Sequence, residues 1–204
     1  MLHMDEREIP FGLSRDGAVM FVRLYSTDGH NRLTRSKVEL LRAEIENLGS
    51  MGLSALPLVI SGDKYFSVGA DLNEINLLSG PEAMEFAKAG QALMDTIDSY
   101  PAPVCAAVTG YCMGGGMDLA LACDFRIASP HAIFGHRGAA LGLITGWGGT
   151  QRLARLVGRT RATEMFAAAE KVDAGKALRF GLIDRIADDP VLAAMHWAEQ
   201  QITG

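Results

Sequence analysis

Pro103-Val-Cys-Ala-Ala-Val-Thr-Gly-Tyr-Cys-Met-Gly-Gly-Gly-Met-Asp-Leu-Ala-Leu-Ala-Cys-Asp124 carries an apolar strand into three consecutive glycines and from there directly into an apolar helix. Gly114, Gly115 and Gly116 have no Cβ, so the backbone turns sharply and lets a ligand oxygen approach its N–H groups. The helix that follows points the positive end of its dipole at the same place. Taken alone, such a junction is satisfied by a tight strand-to-helix turn, and any further meaning depends on the rest of the chain.

Working outward, apolar β-rich runs alternate with helical patterns. Ala18 to Tyr25, Leu56 to Ser61, Val104 to Val108 and Phe125 to Ala128 read as strands. Ser36 to Leu48 places Val38, Leu41, Ile45 and Leu48 on one helical face. Pro81 to Tyr100 opens with proline and glutamate, as helix starts do, and spaces Met84, Ala87, Leu93 and Ile97 for burial. Alternation of this kind predicts α/β crossover units, and strands apolar on both faces predict a sheet covered by helices. From Gly149 onward the pattern turns mainly helical, at Arg152 to Val157, Arg161 to Ala168, Ala174 to Phe180 and Pro190 to Gln201. A short strand candidate, Leu182 to Ile186, interrupts it, and the region reads as a helical appendage to the core. The expected organisation is a core over 1–148 holding the site and a helical C-terminal region over 149–204 of the same domain.

Composition narrows the class. A 204-residue chain with 49% hydrophobic and 21% charged residues fits one folded domain, and a net charge of −5 gives no reason to expect nucleic acid. No run is long enough to span a bilayer and Met1 to Glu8 has no leader pattern, so no membrane partner and a cytoplasmic location are expected. Cys105, Cys112 and Cys123 are odd in number and sit in apolar surroundings, which predicts buried thiols rather than disulfides or a metal site. Five scattered histidines also suggest no metal ligand set.

A second glycine turn, Ser61-Gly-Asp-Lys-Tyr-Phe-Ser-Val-Gly-Ala-Asp-Leu-Asn-Glu-Ile75, again follows an apolar strand and precedes a helix. Its Gly69-Ala70-Asp71 segment offers another N–H at a helix start. Two donors from neighbouring strand ends would converge on one carbonyl oxygen as it becomes negative, each worth about 3 kcal/mol in such sites.

These features, with Asn31-Arg-Leu33, Phe66-Ser-Val-Gly-Ala-Asp71, Phe134-Gly135, Leu141-Gly142, Gly146-Trp-Gly-Gly-Thr-Gln-Arg-Leu-Ala-Arg-Leu-Val-Gly158 and Ala174 to Ile186, resemble the crotonase, or enoyl-CoA hydratase/isomerase, superfamily. They occur in family order over nearly the whole chain. The resemblance implies a ββα spiral (the ClpP/crotonase fold) with a helical C-terminal region, here shortened, since family members continue for some tens of residues. It implies acyl-CoA thioesters as substrates in fatty acid metabolism, no tightly bound cofactor, and a homotrimer or hexamer. Carried over position by position, the amides that hold the thioester oxygen are those of Ala70 and Gly115. Val68, Tyr65, Met113, Gly138, His136 and Trp147 are the substrate-binding candidates, while Met117 belongs to the core or acyl pocket. Asp71 and Asp124 are expected to cap or orient neighbouring backbone.

The acid and base equipment departs from the family's. Its first catalytic glutamate falls at Asp118, one methylene shorter, and its second at Gly138, which has no acid or base. An aspartate in the first turn of a helix also suits the dipole alone; its coincidence with a family catalytic position makes it the acid/base candidate. A missing proton-transfer group is worth about 10² to 10⁴ in rate, so ordinary hydratase efficiency is not expected. His136 and Arg137 neighbour the gap, and a histidine would titrate near neutral pH. Isomerase chemistry that relies on carboxylates at Gly138 and Gly146 is unsupported. The alternatives are a dihydroxynaphthoyl-CoA-synthase-like chemistry in which bicarbonate replaces the missing carboxylate, as the shared glycine and Gly146-Trp-Gly148 suggest, and a non-catalytic acyl-CoA-binding scaffold.

Overall fold

Leu58–Gly62 (β3) and Val104–Val108 (β4) are apolar nearly throughout and buried at every position, which places them at the centre of the main sheet. The structure, a computed structural model, describes residues 11–202; the reading of the first eight residues lies outside them. β3 and β4 pair in parallel, and β2 (Val19–Leu24) and β6 (Phe125–Ala128) extend the sheet in parallel on either side. β1 (Phe11–Asp16) forms a hairpin with β2 through Gly17, whose φ of 57° suits a residue without a Cβ. β9 (Arg185–Ile186) closes the other edge, giving the order β1-β2-β3-β4-β6-β9.

Alternation along β3 and β4 divides the core. Leu58, Ile60, Val104, Ala106 and Val108 join the larger apolar cluster, which takes in α1 (Arg35–Ser50) and α3 (Gly80–Asp98). α1 buries Val38, Leu41, Ile45 and Leu48, the face expected from its spacing. On α3 the expected face is displaced. Leu93 and Ile97 are buried, but Phe86, Gly90 and Met94 complete the stripe, and Met84 is 60% exposed. Met84, two residues before Phe86, lies on the opposite side of the helix from this stripe and so faces solvent.

The opposite face of the sheet, Val59, Cys105, Ala107 and Ile127, packs against α8 (Pro190–Gln200) through Ala194 and Ala198. Trp197 stacks on Phe125 with ring centroids 5.0 Å apart. The last helix is therefore a cover for the main sheet rather than an appendage. Arg126, 3% exposed, ties the region in place, donating to the carbonyls of Cys123, Asp124 and Leu182 and pairing with Asp184 at 3.0 Å.

Short strands β5 (Tyr111–Met113), β7 (Ile133–Gly135) and β8 (Val172–Asp173) form a second sheet. Behind them lies α4 (Gly115–Ala122), apolar on all sides and buried from Gly116 to Ala122. Two further helices, α5 (Gly149–Val157) and α6 (Arg159–Ala167), pack on each other, and α7 (Ala174–Phe180) follows β8. The three cysteines are buried free thiols, and burial pushes Cys123 up to about 12. Among the described residues no helix is long and apolar enough to cross a membrane.

Candidate active site

The two glycine turns meet. Leu33 N–H donates to Gly69 O and Asp71 N–H to Leu33 O, so the carbonyl and amide on either side of Ala70 are engaged with one neighbour. The intervening Ala70 N–H points the other way and has no acceptor among the described residues. Gly114, at φ 51°, donates to Gly135 O and caps α4, leaving Gly115 N–H as the first amide of the helix, where no intrahelical acceptor exists. A Cβ on Gly69, which itself has φ 94°, would lie 2.7 Å from Met113 O and 2.9 Å from Gly115 N. The absence of side chains at 69 and at 116, where a Cβ would stand 2.6 Å from Ser67 O, is what lets the two turns come together. Ser67 supports the turn: its hydroxyl donates to Asn31 O and accepts from Gly69 N–H. Asn31, at φ 52°, donates its side-chain amide to Tyr65 O. Asp71 caps α2 (Leu72–Ile75), and Asp124 accepts from Val104 N–H, as their expected orienting roles require.

One turn into α4, Asp118 is 1% exposed. Thr145 donates its hydroxyl to Asp118 Oδ2, while Oδ1 lies 3.1 Å from Nε2 of His136, itself 4% exposed. That approach lacks hydrogen-bond alignment, and both atoms are enclosed without a hydrogen-bond partner among the described residues. Beside this cluster the Cys112 thiol is held well above its usual range by burial, with the Asp118 charge adding to the effect, and stays neutral. A side chain at Gly149, the first residue of α5, would drive into Asp118, so the glycine leaves the carboxylate its place.

A cavity of about 590 Å³ opens on these groups. Ala70, Gly115 and Asp118 line it together with Val68, Met113, His136, Gly138 and Trp147. Tyr65 is the substrate-binding candidate that does not reach it; its ring is held between His30 and Tyr111, and Tyr111 takes the wall position. Met117 is buried in the core. Lysine and arginine enter the wall at Lys171 and Arg137, and Phe86 packs edge-on to Trp147. A second cavity of about 520 Å³ shares His136, Gly138, Leu143, Ile144 and Thr145 with the first. Among the described residues no group of three or more His, Cys, Asp or Glu side chains could hold a metal. Thr145 and Lys171 escaped the sequence reading; the one available signal was a lone hydroxyl in the otherwise apolar run Leu141 to Trp147.

Residues 16–202 match the family described as enoyl-CoA hydratase/isomerase. The chain belongs to that family. Over 126 residues, 62% of this chain, it is 45% identical to the crotonyl-CoA hydratase of Syntrophomonas wolfei, and the match spans 48% of that relative's length. The short-chain-enoyl-CoA hydratase of Clostridium acetobutylicum is 35% identical over 179 residues, 86% of this chain and 68% of the relative. Among solved structures, DspI of Pseudomonas aeruginosa superposes with a TM-score of 0.90 at 32% identity, covering 99% of this chain and 78% of its own. The enoyl-CoA hydratase of Bacillus anthracis gives 0.90 at 28% identity, with 96% and 77% covered. The crotonase fold is thereby established for this chain.

Position 138, where the resemblance leads one to expect a carboxylate, is also constrained by its backbone. Gly138 opens a tight turn closed by Leu143 N–H to Gly138 O at 2.8 Å. A Cβ there would stand 2.6 Å from Leu143 O. The backbone has closed over the space a longer side chain would need.

Proposed function

We propose that this protein binds an acyl-CoA thioester with its carbonyl oxygen between Ala70 N–H and Gly115 N–H and catalyses hydratase-type chemistry through the enolate, hydrating a 2-enoyl-CoA. The observation that carries this reading is the pair of unengaged amides opening on the same cavity as a buried carboxylate. As negative charge moves onto the thioester oxygen, each amide contributes about 3 kcal/mol of preferential stabilisation. Asp118 supplies the carboxylate of the acid/base centre, and Val68, Met113 and Trp147 supply apolar wall for the acyl group. Membership of the family and relatives that bear hydratase names support the reading. No tightly bound cofactor is proposed, a homotrimer or hexamer is carried over from the family, and a cytoplasmic location is proposed from the sequence reading.

Crotonyl-CoA hydration by the wild type and by Asp118→Asn tests it. Turnover in the wild type and a loss of about 10² to 10⁴ in the variant are expected. Tight binding of acetoacetyl-CoA without turnover of any enoyl-CoA would establish the scaffold reading instead, and activity that appears only with added bicarbonate would establish the synthase-like one.

A further inference from the structure

We propose that His136 is the proton carrier of this site, a general acid and base that takes the place of the carboxylate expected at position 138, with the Asp118 carboxylate 3.1 Å away to stabilise its charged form. The inference rests on the enolate chemistry proposed above and adds the group that moves the proton.

Both oxygens of Asp118 are turned toward protein. Oδ2 accepts from Thr145, and Oδ1 is enclosed against His136 Nε2 at 3.1 Å. A molecule in the cavity therefore meets the imidazole in preference to the carboxylate. Of the two ring nitrogens, Nε2 is sealed toward Asp118. Nδ1 is not among the enclosed atoms, and no group among the described residues engages it. His136 lines the wall of both cavities, and contact with the Phe166 ring, centroids 5.0 Å apart, fixes its plane. A buried carboxylate with one hydroxyl donor is short of compensation, and an imidazolium 3.1 Å away would provide it. Charge arising on the ring during a proton transfer is thus stabilised where it forms.

The step balances with one base. Neutral His136 takes a proton from water at Nδ1 as the water oxygen bonds to C3 of the enoyl thioester. The C2–C3 π electrons pass to C2 and the thioester oxygen, giving the enolate. The imidazolium then returns that proton to C2, and the enzyme is restored with one water added across the double bond. A second carboxylate is not required. Other charges facing the ring are Arg137 beside it, Lys171 across the first cavity and Arg159 in the second. Cys112 adds no charge, because burial keeps its thiol protonated.

The test measures exchange of the C2 protons of butyryl-CoA in D₂O beside crotonyl-CoA hydration, in wild type, His136→Gln and His136→Asn. Both activities are expected to fall by about 100-fold or more when compared at saturating acyl-CoA. Exchange that needs His136 without any hydration would support the proton carrier and overturn only the hydratase reading. Hydration or exchange within about threefold of wild type in either variant would overturn His136 alone. Tight binding of acetoacetyl-CoA with neither activity in the wild type would overturn both. Should the variants fail to fold, the imidazole ¹⁵N signals of wild-type His136 decide. Acetoacetyl-CoA must shift the Nδ1 signal, and its failure to do so overturns the proposal.

Discussion

Replacing Gly69 by alanine attacks the proposed oxyanion site through one methyl group. The added Cβ would lie 2.7 Å from Met113 O and 2.9 Å from Gly115 N, where ordinary contact begins at 3.4 Å. The neighbouring turn must withdraw by about 0.5 to 0.7 Å, and the amide it carries is one of the two proposed donors. Forcing a non-glycine residue to φ 94° adds about 1–2 kcal/mol of backbone strain to about 1–3 kcal/mol of overpacking. A stability loss of about 2–5 kcal/mol follows, which lowers Tm by roughly 5–15 °C at this chain length. Displacing a donor by this much approaches removing it, so kcat/KM for crotonyl-CoA should fall about 10² to 10³. Gly17→Ala is the control: that glycine also has positive φ, 57°, but its Cβ would meet nothing within 4 Å. It should show only the strain, with activity per folded molecule unchanged. Thermal melts and initial rates, both taken well below the lower Tm, separate the two effects. If Gly69→Ala keeps kcat/KM within threefold of wild type, the donor geometry argued here is wrong.

Gly138→Glu should fail to restore hydratase power, because its Cβ would stand 2.6 Å from Leu143 O and the turn must open first; a tenfold rise in kcat would contradict this. Lys37 is 4% exposed, donates to Tyr25 O, and is lowered by burial to about 8 from 10.5. Between those values the unfolded chain binds more protons, so stability should rise with pH from about 8 to 10.5. Lys37→Met should lack that part of the slope in urea unfolding at either end of the range, and identical slopes would refute the assignment. Asp184→Ala leaves buried Arg126 without its carboxylate, and because Asp184 is 31% exposed the cost should be about 2–3 kcal/mol, less than for a fully buried pair. A melt unchanged within 1 °C would show that the carbonyls alone hold the guanidinium.

Where the sequence spoke clearly, one physical signal dominated. β3 and β4 were legible because both their faces are apolar. β1 was missed because only Phe11 and Leu13 interrupt its polar run, and it lies at the sheet edge. β5 and β7 have three residues each, too few to establish a period. α5 begins at Gly149, earlier than the Arg152 that periodicity picks out, since the glycine is there to spare Asp118 and not to favour a helix. Glycines betrayed the amide pair because a missing side chain is itself visible. Thr145 had no such mark: its bond to Asp118 exists only once the loop after β7 folds over α4. His136 stood out by chemistry, but its proximity to Asp118 belongs to the tertiary structure.

Trp147 lies against the glycine surface of α3 and α4, where any Cβ at Gly90 or Gly115 would strike its indole. The chain has one other tryptophan, Trp197, stacked on Phe125 across the main sheet. Trp197→Phe would accordingly leave a single tryptophan, in the wall of the cavity next to the Gly115 amide, which excitation at the red edge selects over the four tyrosines. Its emission can be titrated directly with thioesters that absorb no light of their own in that range, so ligand affinity becomes measurable in variants that have lost all turnover.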